Sequence, residues 1–277
     1  MTAAVRERPA VAALPAGHYR FVDIVRSEWT KMWSVRSTMW TLLATAVVTI
    51  ALSVVGTAQA SSQWASMTAT SRAIFDPASQ SLQGVIYSQL VIGVLGILLI
   101  TSEYATGTST VTFAAVPARG KVLAAKTLVF AMVAGAIGEV LSFLAFFAGQ
   151  AMLAAPAPHA TLGQPNVLRA VVGGGLIFMV LGLFALGLGT IVRHTAGAIT
   201  AYVVALLVLP IVVGALPTAT QDAIGKYLPA HVADTMTTVT APLDHPQFAP
   251  WAGLGVLAIY AAVALGAGAV LLRRRDV

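Results

Sequence analysis

The 277-residue chain contains no cysteine, which excludes disulfides, thiol nucleophiles and cysteine-ligated zinc or iron–sulfur centres. Charge is scarce as well. Only 9% of residues are Asp, Glu, Lys or Arg, against about 25% in an ordinary soluble domain. Catalytic motifs are missing: there is no HExxH, no GxSxG and no GxxxxGK[ST], and Gly120-Lys121 lacks the upstream glycine and the following Ser/Thr of a phosphate loop. The five histidines, His18, His159, His194, His231 and His245, stand in separate flanks and loops without metal-ligand spacing. These absences point away from an enzyme, a bound metal and a bound cofactor. What is present is apolar: 58% of residues are hydrophobic. The expected class is an all-α integral membrane protein, and the net charge of +6 then concerns topology, not nucleic acid.

Uncharged stretches of about 20 residues suffice to cross a hydrocarbon core. They predict six transmembrane helices, near 38–57, 84–101, 127–153, 170–192, 196–216 and 250–272. Six spans leave both termini on one side. Of the 16 Lys and Arg residues, all but Arg72, Arg169 and Lys226 fall in the segments on that side, and those three share the opposite loops with Asp76, Asp222, Asp234 and Asp244. Positive charge marks the cytoplasmic face, so cytoplasmic N- and C-termini are expected. Ala58-Gln59-Ala60 resembles a signal cleavage site, but the run before it is too long for a signal h-region and further spans follow.

The predicted organisation is a disordered tail over 1–18, an amphipathic interface helix over 19–36, a six-span domain over 37–272 and a basic cytoplasmic tail over 273–277. On a helical wheel Val22, Val25, Trp29, Met32 and Trp33 share one face of the interface segment. Arg26, Lys31 and short polar residues fill the other, and Glu28 alone breaks the pattern. Such a segment lies in the headgroup region or simply anchors the first span. On the other side, residues 217–249 are punctuated by prolines; DAIGKYLPAHVADTM reads either as short amphipathic helices or as a surface loop. Ala185/Gly189 and Ala264/Gly268 have a spacing that permits close helix contact.

Two acids stand out. Glu139 is the only acid within a span. It is either a group on a substrate or proton path, or a carboxyl hydrogen-bonded inside the bundle, with Gln150 and Ser142 as candidate partners. Glu103 falls at the C-terminal end of the second span, where helix carbonyls carry partial negative charge and a carboxylate needs a partner. It opens the polar, basic stretch TSEYATGTSTVTFAAVPARGKVLAAK, residues 101–126, which reads as a structured cytoplasmic loop that meets a partner.

Five blocks carry a family resemblance: SEWTKMWSVRSTMWTLL (27–43), GVLGILLITSEYATGTSTVTFAAVPARGKVLAAK (93–126), RHTAGAI (193–199), KYLP (226–229) and LLRRRD (271–276). In order and spacing they resemble actinobacterial permeases of the ABC-2 type, the membrane subunits of ATP-binding-cassette exporters. The resemblance implies a permease with no ATPase of its own. It would pair with a second permease protomer, alike or different, and with cytoplasmic ATPase subunits that hold the ATP, in the lipid of the plasma membrane. It implies a coupling helix between spans 2 and 3, onto which Glu103, Gly107 and Thr108 map as an E-x-x-x-G-T pattern. Thr110 lies within that loop, and Pro117, Arg119 and Lys121 form its basic exit. It implies a connecting helix that carries Glu28, Trp29, Lys31 and Trp33. One departure is Ala105, where members often carry a basic residue, which leaves the charge partner of Glu103 unassigned. Two other functions share these features: a membrane scaffold or sensor that moves no substrate, and a proton-coupled secondary carrier working through Glu139.

Overall fold

The computed structural model describes residues 20–240 and 247–274. The expected disordered tail over 1–18 and the last three residues of the basic tail lie outside that range. Every regular element among the described residues is helical. In chain order these are α1 (Phe21–Ser34), α2 (Arg36–Gln63), α3 (Ala69–Ala73), α4 (Pro77–Ser81), α5 (Gln83–Ala105), α6 (Thr108–Ala115), α7 (Arg119–Met152), α8 (Val167–Val192), α9 (Thr195–Val203), α10 (Leu209–Gly214), α11 (Thr218–Ile224), α12 (Pro229–Thr237) and α13 (Pro250–Arg274). Six helices are long and apolar enough to cross a membrane: α2, α5, α7, α8, the α9–α10 unit and α13. The chain is a multi-pass integral membrane protein.

Helix α8 is the hub. Its span is the most buried of the six, and it packs against α5, α7 and α13. Small residues allow this. The backbone of α13 at Ala264 lies against Gly187, and Gly268 lies against Thr190. Ala264/Gly268 is therefore a packing face, as its spacing suggests, whereas Gly189 turns to Ile97 of α5 instead. The spans formed by α2, α9–α10 and α13 are the least buried. Trp40, Val47, Ile211, Ile259 and Val263 are among the apolar side chains they leave exposed.

Helix α2 is polar inside and apolar outside. Thr45, Thr49, Ser53 and Thr57 are fully buried at i, i+4 spacing, while Leu43, Val47 and Val55 point away from the bundle. Three of the hydroxyls donate back to the carbonyl four residues earlier, so each O–H is satisfied within the helix. Two also reach α5. Thr49 shares a 2.7 Å hydrogen bond with Ser88, and the Gly84 amide donates to Ser53 Oγ at 3.1 Å. A side chain at Gly84 would overlap the Thr49 carbonyl, so only glycine permits this approach. The Ala58–Ala60 segment lies in the last turns of α2, inside an unbroken helix.

Span 5 is not regular. A π-helical segment, Val204–Val208, separates α9 from α10, just before Pro210. Proline has no N–H to give and crowds the carbonyl four residues back; the wider π turn accommodates it. After this span the chain forms the short helices α11 and α12, one of the two readings that the proline-punctuated segment left open. Of these α12 is drawn inward: Val232, Ala233 and Met236 are fully buried against the core.

Candidate functional site

The functional candidates gather at the end of the bundle where α2, α7 and α9 begin and α5, α8 and α13 finish. Helix α1 lies across that end and joins α2 through a single extended residue, Val35. Its packing face corrects the helical-wheel expectation. The inward line is Ile24, Glu28 and Met32, with Ile24 against Val122 and Ala125 of α7. Val22, Trp29 and Trp33 are exposed on the other side, so the wheel's apolar face is divided. Glu28, the one residue that broke the pattern, is the centre of the buried line.

It is buried because it is paired. Lys126, in the second turn of α7, donates to Glu28 Oε2 at 2.6 Å and to Glu103 Oε1 at 3.0 Å. Lys31 donates to Glu28 Oε1 at 2.7 Å and lies 3.5 Å from Glu103 Oε1. Two acids and two lysines thus form a closed, electrically neutral quartet that joins α1, the end of α5 and the start of α7. The Lys126 and Glu28 side chains are 3% and 2% exposed, so their link is shielded from water. Lys31 is 39% exposed, so its contribution is screened and small. Burial by itself would raise the pKa of Glu28. The charge of Lys126 and the hydrogen bonds from both lysines outweigh it and hold that carboxyl below its ordinary value. For Lys31, burial pulls the pKa down and the two carboxylates pull it up, with a net rise.

Glu103 thus finds the partner that its place at a helix end requires. Ala105, where a basic residue was looked for, plays no part; the cations come from α1 and α7. Lys126 was legible as the boundary of the polar stretch, but nothing in the sequence assigned it to Glu28, 98 positions away.

The stretch after Glu103 is a short helix, α6. Gly107 ends α5 in the left-handed region, at φ +71°, and the chain restarts at Thr108. Thr108 Oγ1 donates weakly to the Glu103 carbonyl, at 3.4 Å. Ser109, Thr112 and Phe113 face inward: Ser109 is buried, Phe113 packs on the core, and Thr112 accepts a 3.4 Å hydrogen bond from Lys31. Thr110, Val111, Ala114 and Ala115 face outward, with Val111 72% exposed. At the exit Pro117 and Lys121 are exposed. Arg119 lies over the Phe113 ring and donates to the Leu272 carbonyl at the end of α13.

The turn between α8 and α9 closes onto the same region. Arg193 ends α8 at φ +58° and stacks on Tyr104, and the His194 imidazole accepts from Gly197 N–H to cap α9. Thr195 donates to Thr101 at 2.9 Å, which ties the start of span 5 to the end of span 2.

Glu139 stands apart from this cluster. Its carboxyl rests on Gly175 of α8 and makes no hydrogen bond with another described residue. Neither suggested partner reaches it: Ser142 donates to the Val171 carbonyl, and Gln150 bonds to Pro77, Ser81 and Ala160.

The sequence matches no known family model and no curated protein.

Proposed function

We propose that the chain is the permease subunit of an ATP-binding-cassette exporter of the ABC-2 type, with the quartet end facing the cytoplasm of a plasma membrane. The single observation that carries the reading is α6 in its setting. It is a short helix between two spans, with its outer face bare and its inner face attached to a buried charge network. That arrangement suits a lever: a partner seated on Thr110, Val111 and Ala114 would push on Glu103, Lys126 and Glu28 together, and hence on α5, α7 and α1. The positive-inside distribution of Lys and Arg supports the sidedness. In this reading the ATP is bound and hydrolysed on a separate cytoplasmic subunit. A second permease protomer completes the substrate path, and the exposed Trp29 and Trp33 rest at the level of the lipid headgroups. The work comes from the higher affinity of ATP for one conformation of the ATPase pair.

The chain lacks cysteine, so one placed by Thr110→Cys is unique. Crosslinking from it in native membranes should capture an ATP-binding-cassette ATPase, identified by mass and released or shifted by ATP. A protein that crosslinks to no ATPase, with or without ATP, would overturn the permease reading and bring forward the scaffold and the Glu139-dependent carrier. The carrier further predicts pH-gradient-driven transport that is lost in Glu139→Gln.

A further inference from the structure

Beside the quartet is a cavity of about 380 Å³, within the size range of small-molecule sites. Spans 1 and 2 touch closely along their far halves, at Thr49, Ser53, Gly84 and Ser88. Towards the quartet they part. The gap is walled by Met32, Val35 and Thr38 on one side and by Leu95, Leu98 and Leu99 of α5 on the other. Its polar part carries Ser102, Glu103, Thr106 and Thr108, together with both lysines of the quartet, Lys31 and Lys126. One end is apolar and the other polar, as an amphiphile requires.

The bonding state of the charged groups selects the polar end of the ligand. Lys31 already reaches Glu28, Glu103 and Thr112, and Lys126 reaches both carboxylates. The two lysines are matched by two acids, and both ammonium groups already bond to carboxylates. Glu103 differs. Both lysines bond to its Oε1, and among the described residues no hydrogen bond reaches Oε2. Glu103 lines the cavity, and a carboxylate with acceptor capacity to spare accommodates a further donor.

We infer that this cavity binds a single-tailed amphiphile with a protonated amine, the ammonium on Glu103 Oε2 and the chain along Leu95, Leu98 and Leu99. The binding stands without the permease reading; its use as an entry port for cargo rests on that reading.

The test is photolabelling of the purified protein in phosphatidylcholine nanodiscs, with dodecylamine carrying a diazirine on its tail. Labelling should concentrate on residues 31–38 and 95–106. Unlabelled dodecylamine should suppress it and dodecanoate should not. Glu103→Gln removes a charge-assisted hydrogen bond and should weaken binding about tenfold. Should that variant fail to fold, Leu98→Trp fills the apolar half, leaves the quartet intact, and should abolish the site-specific label. Nanodiscs containing the single-chain lipid lysophosphatidylethanolamine distinguish two sources of the amine: suppression assigns the site to a lipid headgroup, no suppression to a free alkylamine. Labelling spread evenly over the outward faces of α2 and α13, equal competition by dodecanoate, or unchanged labelling of Leu98→Trp would each overturn the proposal. No ATPase takes part, so this failure is separate from a failure to crosslink at Thr110→Cys.

Discussion

The two ends of the bundle are fastened by different physics. At the quartet end the buried fastening is charge on charge: Glu28, Lys31, Glu103 and Lys126 satisfy one another across three helices, with Arg119 and Arg193 adding bonds to carbonyls at the end of α13. At the far end charges meet peptide groups. Arg169, in the first turn of α8, donates to the carbonyls of Thr235, Met236 and Thr238 at the end of α12. Asp76 accepts from the amides of Val239 and Thr240, and from Ala78 and Ser79, whose helix it caps. A side chain that binds backbone holds one segment in one place, whatever residues that segment carries. A ring of side chains joins separate helices, and its members can exchange partners as the helices shift. The far end is built as a clamp and the quartet end as a joint.

The largest effect should come from breaking the joint at its most buried member. Lys126→Met leaves Glu28 sequestered with only Lys31 beside it, and should cost about 3–5 kcal/mol in unfolding experiments. Combining it with Glu28→Gln should restore much of the loss; additive losses would show that the two residues do not act as a pair. Acid should act on the same element. The Glu28 pKa is depressed in the folded state, so its contribution is complete above its ordinary value of 4.5 and is lost as pH falls through the lower folded value. Lys31 has a raised pKa, so its contribution is complete below 10.5 and disappears only above that. The joint should therefore hold from weakly acidic to mildly alkaline pH, open in strong acid and weaken again only above the ordinary lysine value of 10.5, read as tryptophan fluorescence of Trp29 and Trp33.

Breaking the clamp should be next. Arg169→Ala leaves three carbonyls without their donor and should cost about 2–3 kcal/mol locally. A cysteine replacing the buried Met236 should then react with maleimide much faster, while the Lys126–Glu28 coupling measured by the double mutant stays unchanged. Altered coupling would mean that the two ends are not independent. A smaller loss, about 1 kcal/mol in equilibrium unfolding, is expected for Gly107→Ala, because alanine pays to occupy the left-handed turn between α5 and α6.

The smallest effect on stability should be the most informative. Lys31→Gln removes the exposed member of the quartet and should cost less than about 1 kcal/mol. If α6 is a lever, that variant should lose most ATPase stimulation by the permease although it folds normally. Normal stimulation would show that α6 works without Lys31.

The six spans were legible because hydropathy is local: about 20 apolar residues suffice to announce a helix in lipid. Their ends were less so. Helix α7 begins at Arg119, two turns before the apolar run, because Lys126 is neutralised inside the bundle and need not mark the water boundary. The hydroxyl stripe of α2 was visible as Thr41, Thr45, Thr49, Ser53 and Thr57 at steps of four. Read with the inside-out logic of a membrane helix, it would have named the buried face. The split of α1 into an inner line through Glu28 and an outer line through Trp29 and Trp33 was not visible, since a wheel ranks residues by polarity and cannot know that a carboxylate has a lysine waiting.

The sequence by itself determined that this is an all-helical membrane chain, that its basic loops share one end, and that Glu103 needed a partner. Each follows from composition, from the placement of charge between the spans or from the field at a helix end, and none depends on what packs against what. Only the tertiary structure decided which cations answer Glu103 and Glu28, that α6 is attached to them through Thr112, and that spans 1 and 2 part beside them. These are contacts between residues tens of positions apart, and the close packing of α5, α7 and α8 through small residues is what brings them within hydrogen-bonding distance.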